Sequence, residues 1–278
     1  MSVSVARAFW QRFETLHAVT YFAPESIAAA KDAGLKGFWM GYFGFRPLRS
    51  DPWRQAPSRP PSRTSPLRDG AAVASRRLGA GVARGPSRHS GRELAARALR
   101  RAAPDVETSV ELNDELRSLS MQASVLGRPM YAANRSVGVF DDPVQELWQQ
   151  CTTLREQRGD GHVAALAVHA VDGVEAHHPL AAGTGIDPET FFANRGWTAD
   201  ERDAGRVRLV DRGCCRRRAI TAAGAELRSS IESLTDELAV AAPLSLVERL
   251  DGVARSVVAS GVLPFPNPMG LPAVDAQV

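Results

Sequence analysis

Apolar residues recur at helical spacing along most of this chain. Val5, Phe9, Phe13 and Leu16 fall near one face and predict a helix over 5–16. A second helix is expected over 24–33, where Pro24 suits a first helical position and Gly34 a stop. The dense aromatic run Leu35-Lys36-Gly37-Phe38-Trp39-Met40-Gly41-Tyr42-Phe43 reads as core. The pattern then fails over 46–93, where Leu48, Trp53, Leu67, Val73, Leu78 and Val82 are scattered among seven prolines and seven serines. Without an apolar face, burial does not offset an ordering cost of roughly 1–2 kcal/mol per residue, so a disordered segment is expected. Helical spacing returns over 93–103 and 109–126, the latter with Leu112, Leu116, Leu119 and Met121. Gly127-Arg128-Pro129 breaks it, and Asp142-Pro143 starts a further helix with Val144, Leu147, Trp148 and Cys151 along one stripe. Arg158-Gly159-Asp160-Gly161 reads as a turn, followed by an Ala-rich helix over 162–170 that ends before Gly173.

The later part has a more definite order. Residues 187–192 read as a short helix. Thr198 with Glu201 three residues on is a capping box opening a helix to about Arg212. Cys214-Cys215-Arg216-Arg217-Arg218-Ala219-Ile220 suits a short hairpin, and Thr221-Ala222-Ala223-Gly224 opens a helix to about Val240. Helix, helix, basic hairpin and helix is the order of a winged helix-turn-helix. There is also a weak internal repeat. Phe9-Trp10-Gln11 matches Leu147-Trp148-Gln149, and each block runs through an Ala-rich helix to Gly34 or Gly173, with one extra residue in the second copy. The expected architecture is therefore mostly α-helical: two related winged-helix-like units with a short β-hairpin wing and a disordered basic insert. Its divisions are a first helical unit over 1–45, the Arg/Pro/Ser-rich segment 46–93, connecting helices over 94–141, the second winged-helix-like unit over 142–272, and a tail over 273–278.

Charge sharpens this division. The 278 residues carry a net +3. Residues 46–93 alone hold eleven arginines against Asp51, Asp69 and Glu93, a surplus of +8, which leaves the rest at −5. No apolar run is long enough to span a membrane, and residues 1–17 lack the apolar stretch of a signal peptide, so a cytoplasmic protein is expected. Cys151, Cys214 and Cys215 have no metal-binding or disulfide spacing.

Several motifs carry a resemblance. Arg195-Gly196-Trp197-Thr198, Leu209-Val210-Asp211-Arg212-Gly213 and Ile220-Thr221-Ala222-Ala223-Gly224 resemble the recognition helix and wing of MarR-type regulators. Phe13-Glu14-Thr15-Leu16-His17-Ala18-Val19-Thr20-Tyr21-Phe22, Gly37-Phe38-Trp39-Met40-Gly41-Tyr42-Phe43, Arg158-Gly159-Asp160-Gly161-His162 and Pro264-Phe265-Pro266-Asn267-Pro268-Met269-Gly270 resemble an actinobacterial family often called SalK-like. The resemblance covers about 7–45 and 94–272. It implies a helix-turn-helix fold more than it implies an activity. The departure is 46–93, where a basic tract replaces a helix-turn-helix element. A local reading-frame slip in GC-rich coding DNA and a genuine basic insert both account for it.

Candidate chemistry is sparse. Arg216, Arg217 and Arg218 suit a wing that contacts phosphate, and Arg202, Arg206 and Arg208 lie on the helix before it. Asp200, Glu201 and Asp203 oppose them, because acids repel phosphate where base contacts are usually made. His17, Tyr21, Trp39, Arg158, His162 and His177 are candidates to line a ligand pocket. No catalytic motif, metal-binding spacing or cofactor fingerprint is found. The expected function is a MarR-like regulator or a non-catalytic relative, with double-stranded DNA and a small-molecule effector as partners and no membrane. The alternative is a small-molecule-binding protein, or an enzyme of secondary metabolism, that uses the fold without touching DNA. Oligomeric state is not legible.

Overall fold

The structure, a computed structural model, describes residues 4–32, 88–106, 109–184, 197–216 and 219–274. Trp39, Arg217, Arg218, the expected short helix at 187–192 and most of the basic tract lie outside these residues. What is described is mostly helical, with one two-stranded antiparallel hairpin.

Two helices cross at the centre. α1 (Val5–Phe22) is capped by the Ser4 side chain, which accepts from the Arg7 backbone N–H. α6 (Pro143–Val168) is capped by Asp142, which accepts from the backbone N–H of Val144 and Gln145, with proline at its first position. Around them pack α2 (Pro24–Asp32), α3 (Arg88–Ala102), α4 (Val110–Ser120), α5 (Pro129–Arg135) and the C-terminal α10 (Leu244–Ala259). A single core joins α1, α3, α4, α6 and α10, with Leu16, Leu99, Leu116, Leu147, Leu154 and Leu250 all fully buried. Each such leucine contributes on the order of 1.5–3 kcal/mol.

The winged part leaves α6 through Ala170, which has a positive φ of 50°. α7 (Gly173–Thr184), α8 (Ala199–Asp211), the hairpin β1 (Cys215–Arg216) and β2 (Ala219–Ile220), and α9 (Ala222–Glu237) follow. Cys215 pairs with Ile220 and Arg216 with Ala219. Among the described residues this part has two small apolar clusters, one around Ala165, Val171 and Ile231, the other around Leu209, Cys214 and Cys215.

Four expectations are corrected. The expected turn at 158–161 is the interior of α6. Helical glycine costs about 1 kcal/mol relative to alanine, but packing overrides that cost here. A Cβ on Gly161 would sit 3.3 Å from the Leu238 Cβ. The Asp160 carboxylate meanwhile accepts from the backbone N–H of Met130 and Tyr131, capping α5 from outside. Second, Gly173 starts a helix instead of only following one. Asp172 accepts from the Val174 and Glu175 N–H, and Glu175 accepts in return from the Asp172 N–H. Third, helix 109–126 ends at Ser120, and the short α5 follows the Gly127 break. Fourth, α3 begins at Arg88, inside the tract expected to be disordered. Within it, Arg92 is buried, donating to Gln149 at 2.8 Å and stacking on Phe140.

Candidate functional site

The winged end is assembled by close backbone approach. On Gly205, a Cβ would lie 2.6 Å from the Val174 Cγ1, so only glycine lets α8 cross α7 this closely. On Gly224, a Cβ would lie 2.1 Å from the Cys214 carbonyl oxygen, so α9 starts directly against the root of the wing. Thr221 closes the corner: its backbone N–H donates to the Cys214 carbonyl, its hydroxyl donates to the Gly213 carbonyl, and it accepts from the Gly224 N–H. Gly213 supplies the positive φ, 71°, that the turn after α8 needs. The capping box of Thr198 and Glu201 forms as its spacing predicts.

The arginines expected to face DNA do different things. Arg216 is exposed on β1. Arg206 is half-buried on the flank of α8, 3.6 Å from Asp203. Arg202 is also half-buried, and its carbonyl accepts from the His178 ring. Arg208 is held by two carboxylates, Asp172 and Glu175 at the start of α7, so its guanidinium ties α8 to α7. Arg212, which sequence reasoning passed over, donates to the carbonyls of His169 and Ala170 at the end of α6. A cation there meets the negative end of the helix dipole. Its position one residue past the helix was the available signal. The outward face of α8 carries Asp200, Asp203, Ala204, Val207 and Asp211, all exposed. Cys214 and Cys215 are buried, and burial raises the Cys215 thiol pKa, which suits a packed pair better than a reactive one.

Of the six residues expected to share a pocket, Trp39 lies outside the described residues and the other five fall in separate places. His17 and Tyr21 lie together at the α1–α6 crossing. The His17 ring stacks on Trp148 at 5.7 Å, and the Trp148 indole N–H donates to the His17 carbonyl. The Thr152 hydroxyl donates to the Trp148 carbonyl at 2.8 Å. It therefore accepts from His17 Nδ1–H at 2.8 Å, leaving Nε2 to accept from the Tyr21 hydroxyl. One turn earlier on α1, Glu14 is buried opposite Arg155, which lies 3.7 Å away. Burial pushes the Glu14 pKa up, against the pull of Arg155.

Arg158 and His162 sit further along α6, at a charged hub with α9. Arg158 stacks on Trp10 at 4.6 Å and pairs with Asp236 at 2.8 Å, while Arg7 pairs with the same carboxylate at 2.9 Å. Burial would raise the Asp236 pKa, but hydrogen bonds from Arg7, Ser4 and Arg158 hold it below the usual carboxylate range. His162 hydrogen-bonds the Thr235 hydroxyl at 3.0 Å, and burial lowers its pKa. The Nε of Arg158 is buried without a hydrogen-bond partner. His177 lies on α7 and bonds the Gly173 carbonyl of its own helix. Among the described residues no cluster of His, Cys, Asp or Glu could hold a metal ion, and no helix is long and apolar enough to cross a membrane.

Helix, helix, two-stranded wing and helix, locked by Gly205 and Gly224, define a helix-turn-helix protein with the general character of a DNA-binding regulator. The chain matches a helix-turn-helix family over residues 6–47 and 87–264 and belongs to it. No curated protein and no solved structure matches it.

Proposed function

We propose that this chain is a winged-helix transcription regulator, MarR-like in type and similar to the SalK-like proteins, that works in the cytoplasm and answers to a small-molecule effector. The observation that carries the reading is the order α7, α8, hairpin, α9, with the wing closed onto α9 at Gly224. Arg216 on the wing and Arg202 and Arg206 on the flank of α8 would contact phosphates, together with Arg217 and Arg218. Arg208 is omitted, because its ion pairs hold α8 to α7. The effector would act at the α1–α6 seam or at the hub around Arg158, whose unpartnered Nε is the kind of buried donor a ligand satisfies. The hub touches α1, α6 and α9 at once, so a ligand there would move the helix that anchors the wing.

The three aspartates on the outward face of α8 favour a second reading, a small-molecule-binding protein that keeps the fold without touching DNA. Duplex titration separates the two. Under the regulator reading, affinity falls steeply between 50 and 200 mM salt, and combined alanine substitution of Arg202, Arg206 and Arg216 lowers the salt slope by about three. No binding at the lowest salt leaves the second reading. A thermal-shift screen with small aromatic ligands then finds the occupant of the seam.

A further inference from the structure

The two central helices align in one register, in which Trp10, Gln11, Thr15 and Leu16 meet the same residue types in the second helix. Aligning Trp10 with Trp148 places Gln11 on Gln149 and Thr15 on Thr153. The Thr15 hydroxyl donates to the Gln11 carbonyl at 2.6 Å, and the Thr153 hydroxyl donates to the Gln149 carbonyl at 2.9 Å. The same register pairs Glu14 with Thr152 and His17 with Arg155. Across the crossing, Glu14 faces Arg155 and Thr152 bonds His17. Each contact is the other with its partners exchanged, which is the signature of a two-fold, self-complementary interface.

The register returns beyond the crossing. It sets Leu112, Leu116 and Leu119 of α4 on Leu250, Ala254 and Val257 of α10, and all six are buried. It also sets Arg117-Ser118 on Arg255-Ser256, so the same number of residues separates Trp10 from Arg117 as separates Trp148 from Arg255. Chance likeness between Ala-rich helices does not keep that spacing. The packing is exchanged as well: α10 lies on α1, and α4 lies on α6. Arg12 reaches Asp251 of α10 at 2.8 Å, while its equivalent, Gln150, accepts from Ser120 of α4 at 3.0 Å.

We propose that this chain is a covalently joined pair that does as one polypeptide what a two-fold homodimer does with two. The face each unit would offer a second copy is filled by the other unit of the same chain. It therefore acts as a monomer. Applied to DNA, which rests on the regulator reading above, this means one chain per duplex.

Sedimentation of the intact protein at micromolar and higher concentrations tests the architecture without DNA. One chain of 29.9 kDa is expected, and a stable two-chain particle would overturn the proposal. A specific protease site placed beside Val139, which is 72% exposed between the two units, allows the folded chain to be cut. The two pieces should then remain one particle, and their separation under native conditions would sink the idea. Should the insertion prevent folding, the mass of the natural chain still decides. Duplex titration distinguishes the two readings. Saturation at two chains per duplex overturns the joined pair and leaves the regulator reading standing. A monomer that binds no duplex supports the joined pair and removes the regulator reading.

Discussion

Two helix crossings in this molecule are built on different principles. α1 crosses α6 with large side chains: Trp148 stacks on His17, its indole N–H donates to the His17 carbonyl, and leucines close the surrounding core. Among the described residues α7 meets α8 through fewer large groups, with the His178 ring on the Arg202 carbonyl. There a glycine at 205 admits Val174, and two carboxylates hold Arg208. The first crossing buries a wide apolar area, so its stability is spread over many contacts. The second depends on a few close approaches and on charges that water partly screens. The difference teaches where this chain tolerates change. The centre resists single losses of shape only at high energetic cost, while the winged end can be loosened locally, which is what an element repositioned by a ligand requires.

The largest effect should come from removing the centre. Trp148→Ala is expected to cost about 3–5 kcal/mol, read by chemical denaturation as one cooperative loss involving α1, α6 and α10. A cost below about 1 kcal/mol would show that the seam is not the stable half. Next comes Gly224→Ala, whose Cβ has no space beside the Cys214 carbonyl. The strain is expected to cost about 2–3 kcal/mol, with amide exchange rising around the wing and unchanged in α1.

The hub between the two regions should respond to pH. Burial lowers the His162 pKa below its ordinary 6.5, so the unfolded chain binds the proton more readily than the folded one. Its contribution is present above about pH 6.5 and is lost as pH falls through the lower folded value. His162→Gln should flatten that part of the stability profile, and an unchanged slope would place the titration elsewhere. Arg208→Ala should cost about 1 kcal/mol, because the buried Glu175 loses its partner while Asp172 stays solvated. Arg216→Ala should change stability by no more than about 0.5 kcal/mol, so a weakened duplex affinity in that variant reads contact and not unfolding.

Much of the helical part was legible in the chain because it rests on short-range rules. The capping box at Thr198, the helix starts at Asp142-Pro143 and Thr221, and the short hairpin before the last of these follow from local sequence and are present, with the final helix ending at Glu237 and not at Val240. Arg158-Gly159-Asp160-Gly161 was misread because glycine-rich tetrapeptides favour turns locally, whereas Leu238 and the uncapped end of α5 select helix from a distance. The candidate pocket scattered for a similar reason: sequence proximity grouped His162 with His177, but the turn at Ala170 sends them to different sites.

By itself the sequence determined the helical class, the order of the winged part and the charge division, since periodicity, caps and composition are local properties. Only the tertiary structure decided which charges are available and which are used up. It assigned Arg208 to Glu175, Arg158 to Asp236 and Asp160 to α5, and it turned a faint likeness between two tryptophan blocks into an exchanged, two-fold crossing. Those outcomes depend on residues far apart in the chain meeting at a few ångströms, which periodicity along the chain does not encode.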